Sequence, residues 1–333
     1  MKGIKLPQND TRRLPFYLAL EEWVAEHRPD GDYFFAWQVK PTVICGRHQV
    51  MCREVNLNYC RENNIDVWRR KSGGGCVYSD SNNVMFSYIT RRNGVQPSFD
   101  RYTRAVCDML NSLGFKAQKS GRNDIEIDGM KVAGNAYYAV PEHSIVHGTM
   151  LCDADPLTMS KILTPSKAKL DSKGVKSVPA RICTLKSKGL QLTCAEFVDY
   201  AVGYLCNDGY YTLTDNDIRE VEEIEKSYLK PEFYNDRTDA VSEGCRIEGV
   251  GELVCAVCFN VNDEIESLSL SGDFFAPADI NSKLCERLIG VKAQRESLEQ
   301  ALQHIDFDEI IEGLRPEILI ELILENHENN MPS

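Results

Sequence analysis

The sequence predicts an α+β protein, with one large domain of strands and helices and a small C-terminal α/β domain. Short runs with strand-like alternation are interspersed with amphipathic helical segments. A hairpin-turn signal, Asp128-Gly129, lies between two such runs. A polar, glycine-containing stretch at 236–249 then precedes a short hairpin and further helices, which is typical of a domain boundary. We therefore expect one domain at 1–243 and a second at 247–333.

The individual elements follow from the spacing of apolar residues along the chain. In the large domain, helical periodicity predicts helices at 16–27, 56–63, 98–114, 194–205 and 218–228. Alternating or β-branched runs predict strands at 32–39, 41–46, 65–68, 84–89, 115–118, 124–127, 132–140 and 144–151. Thr193 and Glu196 form a capping box for the fourth of these helices. In the C-terminal domain we expect a hairpin at 252–261 and 265–271, followed by helices at 278–288, 297–304 and 317–325.

Composition indicates a protein of the cytoplasm. The chain has 333 residues, of which 43% are hydrophobic, and no apolar run approaches the ~20 residues needed to cross a bilayer. The N-terminus lacks the apolar centre of a signal peptide. Thirteen scattered cysteines fit a reducing compartment, and we expect Cys255 and Cys258 to be buried thiols rather than zinc ligands. The net charge of −12 argues against nucleic-acid binding.

One segment joins a basic run to three glycines. It reads Arg69-Arg70-Lys71-Ser72-Gly73-Gly74-Gly75-Cys76-Val77-Tyr78-Ser79-Asp80. Glycines allow close approach of the backbone to an anion, and the preceding cations would neutralise a phosphate or a carboxylate. The spacing matches neither the P-loop nor the dinucleotide fingerprint, and the loop connects strands rather than opening a helix. The alternative is a flexible turn with a solvated basic flank.

The predicted hairpin around Asp128-Gly129 places Asp124 and Lys131 on facing strands. Lys131 could stabilise a developing oxyanion or phosphate, and Asp124 could hold Mg²⁺ on phosphate oxygens. An exposed ion pair on a surface hairpin is the alternative. Further along, His147 beside Gly148 could line a ligand pocket or be a core histidine, and no Ser-His-Asp constellation is visible.

A second basic segment covers 161–190, where eight lysines and arginines face a single aspartate. Its prolines and glycines predict that much of it is loop. Such a loop could close over a phosphorylated ligand or meet an acidic partner. A solvated basic surface is the alternative.

Together these segments resemble the lipoate–protein ligase A family, within the biotin/lipoate protein ligase superfamily. The motifs that carry the resemblance are Arg69 to Tyr78, Gly121-Arg122-Asn123-Asp124, Lys131-Val132-Ala133-Gly134-Asn135-Ala136, His147-Gly148-Thr149, Cys45-Gly46-Arg47-His48-Gln49, 169–178 and Gly272-Asp273-Phe274-Phe275. Two departures are visible. Ser79-Asp80-Ser81-Asn82-Asn83 stands where the family usually has His-Asp-x-Gly-Asn, and Cys76 replaces the usual alanine.

The resemblance implies a catalytic domain of the biotin/lipoate protein ligase type, built on a large mixed or antiparallel sheet, with a small C-terminal α/β accessory domain. It also implies a two-step reaction: lipoate reacts with ATP, with Mg²⁺ as cofactor, to give lipoyl-AMP, and the lipoyl group then passes to a lysine of an acceptor protein. Lys131 is the implied catalytic residue and Asp124 the implied metal ligand. The implied ATP and adenylate site comprises Arg70, Gly75, Cys76, Val77, Tyr78, Asn123, Asp124 and Lys131. The implied lipoate site comprises Arg70, Ser72, Gly73, Gly74, Lys131, Gly134 and His147.

The implied partners are the lipoyl domains of 2-oxoacid dehydrogenase complexes and the H protein of glycine cleavage, with the 161–190 loop covering the adenylate and helping to dock them. The main alternative is an octanoyl or lipoyl acyltransferase of the same superfamily, which works without ATP through a cysteine thioester. Ser144 stands where that branch has its cysteine, which leaves Cys76 and Cys152 as conceivable nucleophiles. A biotin ligase lacks support because its Gly-Arg-Gly-Arg-x-x-Arg loop is missing. A non-catalytic binder of lipoylated domains is a further alternative.

Overall fold

The computed structural model describes residues 1–8, 11–28, 30–164, 181–234 and 244–330. Fourteen strands lie in these ranges. They are β1 (Lys2–Lys5), β2 (Tyr33–Trp37), β3 (Thr42–Cys45), β4 (Asp66–Arg69), β5 (Val77–Ser79), β6 (Asn83–Arg91), β7 (Ala117–Ser120), β8 (Asp124–Ile127), β9 (Met130–Ala139), β10 (His143–Leu151), β11 (Tyr210–Thr212), β12 (Cys245–Ile247), β13 (Gly251–Phe259) and β14 (Ile265–Gly272).

The helices divide between the two parts of the chain. Those of the large domain are α1 (Leu14–His27), α2 (Met51–Glu54), α3 (Leu57–Glu62), α4 (Val95–Ser112), α5 (Pro156–Ile162), α6 (Cys194–Leu205), α7 (Asp215–Glu225) with a 3₁₀ turn at Lys226–Leu229, and α8 (Pro231–Tyr234). Those of the C-terminal part are a π-helical turn at Asn281–Cys285 that runs into α9 (Glu286–Leu288), then α10 (Arg295–Leu302) and α11 (Pro316–Asn330).

An eight-stranded mixed sheet forms the centre of the large domain, in the order β11-β1-β2-β6-β10-β9-β8-β7. Only β1 pairs in parallel, with β2 and β11, and the remaining pairs are antiparallel. Successive residues of β2 alternate between two cores: Phe34 packs with α4 and α6, whereas Tyr33 and Phe35 pack with α1 and α7. The sheet is therefore covered by helices on both faces, and the predicted α+β class is confirmed.

A second, three-stranded sheet in the order β4-β3-β5 carries the glycine-containing segment. The predicted strands at 32–39 and 41–46 both exist as β2 and β3, but they belong to different sheets and are not partners. Alternation along a strand reports which face is buried and carries no information about the neighbouring strand. The predicted loop lies between β4 and β5 and leads into no helix, as expected.

The C-terminal part has its own core. Strands β12 to β14 form an antiparallel sheet, and its apolar face packs with α10 and α11. The predicted hairpin is present as β13 and β14, while the three-residue strand β12 is too short for its sequence to have indicated it. Residues 235–243 lie outside the described ranges, so the boundary between 243 and 247 stays a prediction.

Several local predictions can be compared with the structure directly. The Thr193–Glu196 capping box is present at the start of α6. Helix α4 begins at Val95, three residues before the predicted start, with Gly94 as its N-cap residue. Cys255 is buried but Cys258 is exposed, because residues three apart in a strand point to opposite faces. None of the helices within the described ranges is long and apolar enough to cross a membrane.

Candidate active site

A cavity of about 910 Å³ lies between the β4–β5 loop, the β8–β9 hairpin and the C-terminal part of the chain. Helix α1 and strands β2, β3 and β6 supply an apolar wall, formed by Leu14, Leu18, Trp37, Ile44 and Met85. The β8–β9 side supplies polar and charged groups, which are Arg122, Asn123, Asp124, Lys131 and, from the chain that follows the undescribed segment 165–180, Arg181. This combination suits an elongated ligand with an apolar chain and an anionic head.

The glycines of residues 70–76, a segment here called the glycine loop, face two different parts of the structure. Gly74, Gly75 and Cys76 line the cavity, as do the next two residues of β5. Gly73 instead faces the C-terminal part, where a Cβ at this position would lie 2.1 Å from the Phe274 carbonyl oxygen. The glycine at 73 therefore permits a close contact between the two parts of the chain. Gly73 and its neighbour Ser72 do not line the cavity, in contrast to the lipoate contacts expected for them.

Arg70 organises the glycine loop. Its side chain donates to the Ser72 hydroxyl (2.8 Å) and to the carbonyl oxygens of Ile44 (2.9 Å), Gly73 (2.6 Å) and Gly75 (2.9 Å). These bonds use four of the five guanidinium N–H groups. Burial lowers the pKa of Arg70 from its usual value. Arg70 also reaches the cavity, but most of its hydrogen-bonding capacity fixes the loop on which a ligand would rest.

Lys131, Asp124 and Arg181 form what we call the Lys131 cluster. The predicted proximity of Asp124 and Lys131 is confirmed, with Lys131 Nζ 2.8 Å from Asp124 Oδ1. Arg181 Nη2 pairs with the other oxygen, Oδ2. The lysine chain passes over Gly134, where a Cβ would lie 2.5 Å from Nζ, so a larger residue at this position would displace the ammonium group. Sequence reasoning did not place Arg181 beside Lys131, because fifty residues separate the two and Arg181 lies outside the 169–178 motif of the basic segment.

The same geometry bears on the expected metal site at Asp124. Both of its carboxylate oxygens pair with cations, and the described residues contain no group of three or more His, Cys, Asp or Glu side chains placed to hold a metal. Mg²⁺ is usually bound by one or two carboxylates together with substrate phosphates. In this arrangement Asp124 fits the task of holding Lys131 and Arg181 better than that of a metal ligand.

Asn123, also expected at the nucleotide site, lines the cavity and fixes the end of the hairpin. Its amide nitrogen donates to the Asn135 carbonyl oxygen, and the Asn135 amide nitrogen donates to the Asn123 carbonyl oxygen at 2.7 Å. This reciprocal pair holds β8 and β9 together next to the Lys131 cluster. Asn123 is therefore tied to its neighbouring strand through its side chain.

His147 lies at the centre of a buried polar network behind the apolar wall. Its Nδ1 atom is 2.8 Å from Glu21 Oε2, and its Nε2 atom is 2.7 Å from the Ser72 hydroxyl. Because the Ser72 hydroxyl oxygen accepts from Arg70, we assign this hydroxyl as the donor to His147 Nε2. The other ring nitrogen, Nδ1, then carries the hydrogen that is donated to Glu21. The Ser87 hydroxyl also donates to Glu21, at 2.6 Å. His147 lines the cavity, which is the first of the two alternatives stated for it above.

This network is a Ser-His-Glu arrangement that no motif of the sequence indicates. Ser72, His147 and Glu21 are connected in that order, although Ser72 is fully buried and accepts from Arg70, so the arrangement positions groups rather than exposing a nucleophile. Glu21 was not predicted, since 126 residues separate it from His147. The available signal was a carboxylate on the apolar face of α1, between Leu20 and Trp23.

Arg122 joins the large domain to the C-terminal part. It donates to the Gly249 carbonyl oxygen (2.9 Å), pairs with Glu312 (3.2 Å) and lies 4.2 Å from the ring centre of Phe275. The Phe275 ring in turn packs against Phe99 of α4, with ring centres 5.6 Å apart. The two side chains are only 22% and 21% exposed, and this burial lowers the pKa of Arg122 and raises that of Glu312.

Replacing Arg122 with alanine is expected to lower the free energy of unfolding by about 2 kcal/mol, because Glu312 is left without its partner in a mostly buried position. Urea unfolding followed by circular dichroism measures the change. Arg295→Ala is the matched control, since Arg295 pairs with Glu321 at the surface and such pairs contribute about 0–1 kcal/mol. Equal losses in both variants would contradict the assigned role of Arg122.

Comparison with known proteins places this site in a family. The family model "Lipoyl protein ligase A/B catalytic domain" matches residues 14–205, and "Bacterial lipoate protein ligase C-terminus" matches residues 254–323. A curated relative, the "Probable lipoate-protein ligase A" of Mycoplasma pneumoniae, is 30% identical over 328 residues, which cover 95% of this chain and 96% of that protein.

Solved structures show the same fold. P. falciparum LipL1, crystallised in complex with lipoate, matches with a TM-score of 0.76 and 19% identity over 98% of this chain and 99% of its own. A bi-partite lipoate protein ligase of Thermoplasma acidophilum, studied with its E2 lipoyl domain, matches at 0.61 and 24% identity over 70% of this chain and 96% of its own. A lipoate-protein ligase A bound with ATP matches with a TM-score of 0.60 and 22% identity, over 70% of this chain and 98% of its own.

These structural likenesses concern the fold, because all of them lie below 25% identity. The sequence matches go further, since the catalytic-domain model covers more than half of the chain and the Mycoplasma relative aligns over nearly its full length. This chain belongs to the lipoyl protein ligase A/B family.

Proposed function

We propose that this protein is an ATP-dependent lipoate–protein ligase. The observation that carries the proposal is a single cavity whose apolar wall meets the glycine loop and the Lys131 cluster. Lipoate has an apolar chain and a carboxylate, and an adenylate adds a nucleotide and a phosphate to that head. The relatives named above act on lipoate, and two of the solved structures were determined with lipoate or ATP.

In the first step, a carboxylate oxygen of lipoate attacks the α-phosphorus of ATP, and the bond to pyrophosphate breaks. Negative charge builds up on the phosphate oxygens during this step. Lys131 lies in the cavity, where its ammonium group would stabilise that charge, and Arg181 adds a second cation held by the same Asp124 carboxylate. Backbone N–H groups of the glycine loop and β5, from Gly75 to Tyr78, would hold the nucleotide, with Asn123 beside the phosphates.

In the second step, the ε-amine of an acceptor lysine attacks the carbonyl carbon of lipoyl-AMP, and AMP leaves. Lys131 would then stabilise the oxyanion of the tetrahedral intermediate without forming a bond to the substrate. Gly134 gives the lysine room, while Gly74 and His147 line the slot for the acyl chain. The acceptors are lipoyl domains, and within that class we propose those of 2-oxoacid dehydrogenase complexes and the H protein of glycine cleavage.

We propose that Mg²⁺ binds together with the ATP phosphates, whose negative charge it would offset. Asp124 is engaged with two cations, so we route no step through a metal held there. We also place the enzyme in the cytoplasm, a reducing compartment that suits a chain with thirteen free thiols.

The alternative, acyl transfer through a cysteine thioester, is not favoured. Ser144 is fully buried and its hydroxyl lies 3.1 Å from that of Tyr137, so it occupies a core position. Burial raises the pKa of Cys76 and of Cys152, which disfavours the thiolate that such chemistry requires.

Lipoate-dependent release of pyrophosphate from ATP tests the function. We expect release without any acceptor, slow because the adenylate stays bound, and repeated turnover once a purified lipoyl domain is added. The lipoyl domain should gain the mass of one lipoyl group in the same reaction. Transfer from an octanoyl-carrier protein in the absence of ATP would favour the acyltransferase instead. Failure both to bind ATP and to transfer from the octanoyl carrier would leave a non-catalytic binder of lipoylated domains.

A further inference from the structure

Two thiols face each other at the wall of the cavity. Strands β3 and β5 pair antiparallel, and Ile44 opposite Val77 is the last pair of their register. Cys45 and Cys76 are the next residues on each strand and are therefore directly opposite each other. Their sulfur atoms lie 2.9 Å apart. Cross-strand neighbours at this separation need little movement to bring two sulfurs to bonding distance.

The two cysteines differ in access. Cys76 lines the cavity, whereas Cys45 is fully buried behind it and does not belong to the lining. A reagent that enters the cavity can therefore reach Cys76 first, and Cys45 is placed to react with whatever forms there. The Arg70 backbone N–H donates to the Cys45 carbonyl oxygen at 2.9 Å, which fixes the backbone that carries the Cys45 thiol.

We propose that Cys45 and Cys76 form a redox modification site, at which a low-molecular-weight disulfide converts the two thiols into one intramolecular disulfide. The Cys76 thiolate attacks a sulfur of the reagent, a new S–S bond forms, and one reagent thiol leaves with the Cys76 proton. The Cys45 sulfur then attacks Cys76 Sγ, and the second reagent thiol leaves with the Cys45 proton. The protein loses two hydrogens and two electrons, and the reagent gains them.

The surroundings set the speed of this exchange. Burial raises the pKa of Cys76, and the nearby Arg70 guanidinium partly opposes that rise by favouring the thiolate. The exchange is therefore slow in comparison with that of an exposed thiol, and it depends on an unoccupied cavity. A ligand seated against Cys76 would shield the sulfur from the reagent.

A disulfide between Cys45 and Cys76 would shift one end of the glycine loop. Cys76 directly follows Gly75, whose carbonyl oxygen accepts from Arg70. A covalent bond to Cys45 would draw this end of the loop towards β3 and away from the cavity. The step from link to activity rests on the proposed function, because it assumes that residues 75–78 hold the nucleotide.

The chain contains a second thiol pair that serves as a control. Cys152 interacts with Cys194, and neither residue lines the cavity. Oxidation there would place a disulfide at the end of β10 and the start of α6. It should leave the cavity wall unchanged.

The first experiment maps the link itself. The full chain is incubated with oxidised glutathione, its remaining thiols are alkylated, and the digested peptides are analysed by mass spectrometry. We expect a peptide pair joined through Cys45 and Cys76 that disappears after treatment with dithiothreitol. Recovery of Cys76 only as a mixed disulfide with glutathione, or of both thiols as alkylated residues, would overturn the proposal.

The second experiment follows lipoate-dependent pyrophosphate release before and after oxidation. Oxidised wild type should lose at least about ten-fold in rate and recover with dithiothreitol. In Cys45→Ala the second exchange cannot occur, so the same treatment should leave one glutathione on Cys76 as a mixed disulfide, whereas Cys194→Ala should form the Cys45–Cys76 link and lose activity as the wild type does. A mapped link without loss of rate would overturn the effect on the loop. Inactivity of the reduced wild type would instead count against the ligase function and leave the mapped link standing.

Discussion

Replacing Lys131 with alanine is expected to lower the rate of lipoyl-adenylate formation by about 100- to 1000-fold, the usual cost of removing one group that stabilises transition-state charge. The ammonium group lies in the cavity, held by Asp124 at 2.8 Å. Arg181 would remain on the other oxygen, so the cluster loses one cation and keeps its carboxylate paired. Single-turnover assays with ATP and lipoate, without an acceptor, measure this step.

The hairpin itself offers the control. Lys188 pairs with Asp128 at the turn between β8 and β9, at 3.0 Å, and does not line the cavity. Lys188→Ala removes a lysine that pairs with the turn of the same hairpin, and its rate should stay within about two-fold of wild type because surface pairs contribute little. If Lys131→Ala formed the adenylate at a near wild-type rate, the proposed role of Lys131 would have to be abandoned.

The parts of the site that sequence predicted are those built from contiguous chain. That Lys131 and Asp124 lie close together follows from their placement on one hairpin of two short strands and an Asp-Gly turn, although the register pairs Lys131 with Glu126 and the lysine reaches Asp124 over Gly134. The same holds for the connection of the glycine loop to strands on both sides. Such features depend on local propensity and on the period of side chains along a strand, both of which can be read from a single sequence.

The parts that were missed depend on packing between distant segments. Ser72 and Gly73 were expected beside the acyl chain, but Gly73 faces Phe274. No local sequence pattern indicates how a C-terminal domain packs against the large domain. Arg181 reaches Asp124 from a segment 57 residues later in the chain. Side-chain direction at such points is set by tertiary contacts, for which the sequence provides candidates but no partners.

Glu21 is the strongest example, and changing it to glutamine is expected to raise the KM for lipoate about ten-fold, or ~1.4 kcal/mol, with little change in the KM for ATP. The carboxylate accepts from His147, from Ser87 at 2.6 Å and from Tyr138 at 3.4 Å. A glutamine offers one oxygen and an NH₂ group that cannot accept, so at least one buried donor loses its partner. His147 lines the cavity and would lose its fixed orientation.

Glu22, the next residue of α1, provides the control, because its replacement removes the same negative charge from the helix without touching His147. Glu22 pairs with Lys71 at 2.7 Å and accepts from Tyr228, and neither Glu22 nor these partners line the cavity. Glu22→Gln should therefore leave the KM for lipoate within about two-fold of wild type, even if it lowers stability by about 1 kcal/mol. Pyrophosphate release measured over a range of lipoate and ATP concentrations gives both constants. Equal changes in the two KM values, or the same change in both variants, would mean that Glu21 supports the fold of α1 rather than the orientation of His147.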